Sequence, residues 1–179
     1  MLKTLGEDYY SPKGASLPAS AGFRGQIGKG SAIPHALTSN ATVEDGDVLV
    51  TGASANVGGY VSELERTMVV GRPTKKQTKF FKYMVEAGDI AMDAIEPGAK
   101  FSDVDEAVWE FYKDNDLEEY WRHHTGHSIG FGGHEAPYFD RFDDREIEEG
   151  MVVTVEPGLY IPGFAGFRHS DTVLVTEDG

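Results

Sequence analysis

The chain of 179 residues contains no cysteine, which excludes disulfides and any metal site built on thiolates. Long apolar runs are missing as well. Nothing approaches the ~18 consecutive apolar residues of a membrane span, and the leading stretch Met1 to Asp8 has no apolar signal core. No membrane association is therefore expected, and a cytoplasmic setting is the default. Basic residues are scarce: 16 Lys and Arg against 30 Asp and Glu give a net charge of −14. Such a surface repels phosphate backbones, so a nucleic-acid partner is not expected. No internal repeat or low-complexity stretch appears.

What is present is a globular composition, 40% apolar and 26% charged, of a length that suits one domain, residues 1–179. Residues 1–32 are rich in Gly, Ser, Ala and Pro and read as an irregular leading segment of that domain. Val48-Leu49-Val50 follows a Gly46-Asp47 turn as a short strand. Gly58-Gly59 bends the chain into a second strand over Tyr60 to Val70, giving a hairpin. From Thr74 the period becomes helical, with Phe80, Met84, Gly88, Ala91 and Ile95 on one stripe and Pro97-Gly98 as the stop. Ser102-Asp103-Val104-Asp105 reads as a capping box for a helix with Val104, Val108, Phe111 and Tyr112 inward, closed by Asp114-Asn115. Strand runs follow at His123 to Gly133, Met151 to Glu156 and Thr172 to Thr176. The order predicts an α+β fold with a mostly antiparallel sheet.

Five of the six histidines (His35, His123, His124, His127, His134, His169) fall in the last 57 residues. Clustering of the side chain that titrates near neutrality points to acid–base or metal chemistry. Glu156 ends a strand run just before Pro157-Gly158, where a carboxylate can face a pocket. Glu63 and Glu65 are two apart on a strand and so point to one face. Two like charges there need a cation, which a metal, an arginine or the substrate can supply.

Several ordered motifs carry a family resemblance: Ser31-Ala32-x-Pro34-His35, Gly59-Tyr60-x-Ser62-x-Leu64-Glu65-Arg66-Thr67, His123-x-x-Gly126-His127-x-x-Gly130, His134-Glu135-x-Pro137, Val155-Glu156-Pro157-Gly158 and Gly166-x-Arg168-x-x-Asp171. Together they resemble the pita-bread superfamily of prolidase, aminopeptidase P, methionine aminopeptidase and creatinase. The resemblance implies a curved, mostly antiparallel sheet with packed helices. It also implies a homodimer, and a fold incomplete at its N-terminus. The peptidases of the superfamily hold two metal ions with two Asp, one His and two Glu. In this sequence those positions are Gly52, Glu63, His127, Glu156 and Ser170, so two match, one is altered and two are lost.

The losses point toward the creatinase branch, which hydrolyses a C–N bond without metal and whose sequence Leu64-Glu65-Arg66-Thr67 resembles. The expectation is thus a metal-independent C–N hydrolase acting on a small cationic or amide substrate. His35 is its acid/base, with His127, His134 and Glu156 catalytic and Glu65, Arg168 and Glu63 binding substrate. No cofactor is expected in that reading. The alternative is an Xaa-Pro metallopeptidase with a degenerate site that binds a short peptide, a divalent Mn, Zn or Co ion sitting on Glu63, His127 and Glu156. A third reading is a non-catalytic binding module.

Overall fold

The computed structural model describes residues 18–37 and 39–179. Three strands form the first sheet in sequence order: β1 (Ala19–Ile27), β2 (Val48–Val57) and β3 (Tyr60–Val69), all antiparallel. Two helices follow, α1 (Lys75–Asp93) and α2 (Phe101–Asp114). A second sheet has the order β5 (Glu135–Phe139), β4 (Gly126–Ser128), β6 (Val152–Val155), β9 (Asp171–Leu174). Between the last two in sequence lies a hairpin of β7 (Gly158–Ile161) and β8 (Ala165–Arg168). This is the α+β, largely antiparallel pita-bread arrangement that the sequence leads one to expect.

The irregular reading of residues 1–32 needs correction where the structure describes it. Residues 19–27 form β1, an edge strand in register with β2 from Ala19 opposite Val57 to Ile27 opposite Leu49. Most of its side chains are exposed on both faces, so it shows no apolar alternation, and backbone pairing alone identifies it. Residues 1–17 of that segment lie outside the described residues.

Helix α1 is capped as a Thr74/Gln77 box: Gln77 N donates to Thr74 Oγ1 at 3.2 Å and Thr74 N to Gln77 Oε1 at 2.8 Å. It buries Phe80, Met84, Ala87 and Ala91, a spacing of four, three and four, with Ala87 rather than Gly88 on the inward line. The cap of α2 sits earlier than the Ser102 box: Lys100 is the N-cap residue and its backbone N–H donates to Asp103 at 3.1 Å. The core joins both helices to β6, β7 and β8, with Phe80 stacked on Phe167 at 5.9 Å and Phe101 on Phe139 at 4.6 Å.

Two junctions bring the sheets together around a cavity. Glu65 and Ser170 exchange backbone hydrogen bonds of 3.0 and 3.1 Å, tying β3 to the bend between β8 and β9. Val61 N donates to the Gly130 carbonyl at 2.8 Å, tying the start of β3 to the loop after β4. Strand alternation then turns Val61, Glu63 and Glu65 toward the second sheet. No described helix is long and apolar enough to cross a membrane.

Met84 is 1% exposed at the centre of this core, whereas Leu37 is 92% exposed. Met84→Ala is expected to cost ~2–5 kcal/mol in urea-unfolding stability, and Leu37→Ala less than ~0.5 kcal/mol.

Candidate metal centre and substrate cavity

Strand β4 places His127, and its neighbours leave it little freedom. A Cβ on Gly126 would lie 2.0 Å from the Thr154 carbonyl oxygen, so the close approach of β4 to β6 requires glycine. The His127 backbone N–H donates to Thr154 Oγ1 at 3.1 Å. One residue earlier, Thr125 is clamped by Asp105 of α2, which accepts from its N–H at 2.9 Å and its hydroxyl at 2.7 Å. Burial raises the Asp105 carboxyl to about 6 against the lowering effect of those two bonds.

His127, His134 and Glu156 converge from β4, the loop before β5 and the end of β6. Each offers one donor atom, and all three atoms lie within 4.8 Å of one another. The His127 and His134 rings are 4.1 Å apart. His127 Nδ1 sits 3.0 Å from the Ser128 carbonyl, an acceptor, so Nδ1 carries the proton and Nε2 the lone pair in the neutral ring. Nε2 is buried without a hydrogen bond, 3.2 Å from Glu156 Oε1. Two acceptors face each other there, an arrangement that calls for a proton or a metal ion between them. Burial disfavours the charged ring, yet Glu156 and the Ser128 carbonyl outweigh it and the His127 pKa is raised. Burial likewise pushes Glu156 up, but His127, Arg168 and His123 together hold its carboxyl at about 2. A permanently ionised carboxylate with two imidazoles is the donor set of a three-ligand catalytic metal site, and these residues fit one divalent ion.

The neighbouring acids are committed differently. Glu65, 3% exposed, accepts from Arg24 at 2.5 Å on one oxygen and from the buried Arg168 on the other. Gly52 lies directly opposite Glu65, and a Cβ there would be 3.0 Å from Glu65 Oε1. The space over Gly52 is thus filled by a carboxylate from the facing strand. Glu63 Oε1 accepts from the Ser170 hydroxyl at 2.8 Å, and Glu63 stands outside the converging triad. With Gly52 and Ser170 offering no carboxylate, the residues do not fit a second ion.

Arg168 is 1% exposed. Beyond Glu65 it donates to Tyr160 Oη at 2.8 Å and to the Pro34 carbonyl at 3.4 Å, and its Nε lies 3.9 Å from Glu156. Tyr160 accepts from Arg168, so its own proton goes to His123 Nε2 at 2.7 Å, and His123 Nδ1 faces the His124 carbonyl at 2.8 Å. Burial holds the His123 pKa down to about 4, against the opposing pull of Glu156.

Two cavities flank Arg24. One, about 420 Å³, is lined by Arg24, Gly52, Ser54, Glu63, Glu65 and His134. The other, about 510 Å³, is lined by Arg24, Gln26, Ile33 and His35 among others. His35 is an exposed side chain on the loop after β1, with its pKa lowered by burial and then by Arg24 and Arg168. Arg24, Tyr160 and Asp105 escape the sequence reading. Arg24 stands in a segment without periodicity and Tyr160 in a continuous apolar run, so neither carries a local signal. Asp105 carries one, an acid on the inward side of a helix next to Val104.

Two expectations follow from these contacts. Glu65→Ala strands a buried guanidinium and is expected to cost ~3–5 kcal/mol in denaturant-unfolding stability. His123 has a folded-state pKa of about 4, below its ordinary 6.5. Its contribution is full above pH 6.5 and is lost as the pH falls toward 4. Unfolding stability measured across that window should decline, and His123→Asn should flatten the decline.

Comparison with known proteins gives this geometry its context. The model of metallopeptidase family M24 matches residues 19–177. An Xaa-Pro dipeptidase of Pyrococcus furiosus is 39% identical over 152 residues, 85% of this chain and 44% of that protein. An Xaa-Pro dipeptidase of Pyrococcus horikoshii is 35% identical over 171 residues, 93% of this chain and 47% of that protein. The structure superposes on the prolidase from Pyrococcus furiosus with a TM-score of 0.85 at 38% identity, covering 88% of this chain and 47% of that one. For an X-Pro aminopeptidase from Thermotoga maritima the TM-score is 0.84 at 30% identity, covering 88% and 45%. The chain spans about half the length of the curated relatives it matches. These relatives and the converging triad overturn the expectation that no metal is held. The creatinase-like, metal-independent reading finds no support among them either. That reading weighed the losses at Gly52 and Ser170, which bear on a second ion. It did not see that His134 folds onto His127 and Glu156 to complete a set for the first. The chain belongs to metallopeptidase family M24.

Proposed function

We propose that residues 1–179 act as the catalytic domain of an Xaa-Pro-type metallopeptidase, hydrolysing a short peptide with one divalent ion of manganese, zinc or cobalt on His127, His134 and Glu156. The observation that carries this reading is the convergence of those three donors, with the lone pair of His127 Nε2 turned toward Glu156. Further support comes from the Xaa-Pro dipeptidases among the relatives. When bound, such an ion supplies Lewis-acid polarisation of a carbonyl and acidification of a water.

The chain's own residues supply the rest. Ser128 fixes the tautomer of His127 through its carbonyl. Arg168 keeps Glu156 ionised from the side opposite His127. Glu63 lines the cavity beside His134, and burial followed by the charge of Glu156 raises its pKa. A carboxyl so placed is suited to accept a proton from a water and return it. His35, its pKa lowered by partial desolvation and by Arg24, lines the adjoining cavity as a second proton carrier. Glu65 enters as the partner of Arg24, which lines the substrate cavity, and of the buried Arg168. A homodimer is carried by the family resemblance, and sedimentation equilibrium reads it directly.

Metal analysis of protein purified without chelator should find one ion per chain. Hydrolysis of glycyl-proline should vanish with chelator and return with added Mn²⁺. His127→Ala should lose the ion and at least ~100-fold in activity, since even the partners of ligands are worth ~10–100-fold. Chelator-insensitive hydrolysis would sink the proposal. Because ligating imidazoles must be neutral, the ion should also dissociate as pH falls through the raised pKa of His127. A metal titration followed by calorimetry at several pH values checks this.

A further inference from the structure

The first sheet borders the cavity with one face and leaves the other bare. Strand alternation and the register decide which side chains lie on each. Arg24, Glu63 and Glu65 turn inward. Tyr60, Leu64 and Met68 of β3 and Phe23 of β1 turn outward, and all four are exposed. The helices give this outer face no cover: α1 packs on β6, β7 and β8, and α2 on β5. Of the three strands only Val48 and Val69, on the inner face, join the apolar core. Strands of nine and ten residues make the bare face about 30 Å long and about 14 Å wide. That outline, about 400 Å², is the size at which an apolar patch on a monomer marks a contact surface.

Charge and shape both bear on what covers it. The chain carries −14, yet no outward position of the three strands is Asp or Glu. The one charged side chain there, Arg66, is paired with Asp171 at 2.5 Å. Two copies of so acidic a chain repel each other over most of their surface, and on this face they do not. The face is also self-complementary. A two-fold axis along β2 lays β1 of one copy over β3 of the other. Tyr60 then stands over Ala19 and Arg66 over Gly25, a large side chain over a small residue each time. In the central row Leu64 meets Phe23, and Ala53 faces its own copy.

We propose that the outer face of β1, β2 and β3 is the interface at which two copies of this chain pack sheet on sheet. The inference rests on the homodimer of the proposed function and gives it a surface. It stands apart from the peptidase chemistry, which the metal and glycyl-proline assays test.

Sedimentation equilibrium of the full chain should show a reversible dimer that tightens as salt is raised, because salt screens the repulsion between two acidic bodies. Leu64→Asp should raise Kd at least ~10-fold, since it buries an unpaired charge. Phe142→Asp adds the same charge at an exposed place off the face and should leave Kd unchanged. Circular dichroism checks that both variants keep the fold. The chain has no cysteine, so Ala53→Cys offers a single thiol, which a short bismaleimide should join into covalent dimers, and Phe142→Cys should not be joined. A monomer at every concentration overturns both the surface and the homodimer, whatever else covers the face. A dimer that folded Leu64→Asp leaves intact, that Ala53→Cys does not join, or that weakens as salt rises overturns the surface alone.

Discussion

The Arg168 guanidinium is withdrawn almost wholly from water, and it draws partners from four parts of the chain, its Nη2 alone having no hydrogen bond among the described residues. Glu65 comes from β3, Tyr160 from β7, the Pro34 carbonyl from the loop beyond β1, and Glu156 from the end of β6. Removing any one leaves a buried charge short of compensation, which is costly, so the pair is better understood as fixing positions than as adding net stability. Its result is that Glu65 and Glu156, from two different sheets, are held near the same guanidinium nitrogen.

The triad proposed to hold the metal depends on that arrangement. Glu156 is squeezed between Arg168 and His127, and both hold it ionised despite burial. His127 is set from behind by Thr154, Ser128 and, one residue back, by Asp105 through Thr125. These contacts are made by groups outside the triad, and they determine which ring nitrogen of His127 faces Glu156. The same economy of charge explains Gly52. Glu65 already fills the space over that residue, and a second carboxylate there would have met the first at close range with only the arginines to separate them.

Much of the fold is visible in local pattern. The helical stripe from Phe80 to Ile95 and the hairpin around Gly58-Gly59 are there because apolar spacing and turn glycines act over a few residues. The strand β1 is not visible, since an edge strand exposed on both faces has no apolar period, and its existence depends on pairing with β2 some thirty residues away. The site divides in the same way. His127 and Glu156 announce themselves in their motifs, and the shared face of Glu63 and Glu65 follows from strand alternation. That His134 joins the first two, while Glu63 turns to Ser170, is a matter of distances between separate elements.

By itself, then, the sequence determined the family, the α+β class and the short list of ionisable residues. These follow from spacing along one chain, and from the absence of cysteine and of long apolar runs. The tertiary structure alone decided how the cations and acids pair off. It gave Glu65 to two arginines, Glu156 to His127 and His134, and Glu63 to Ser170. The physical reason is that a charge in a partly buried space is neutralised by whatever lies within a few ångströms, and those neighbours come from strands far apart in sequence.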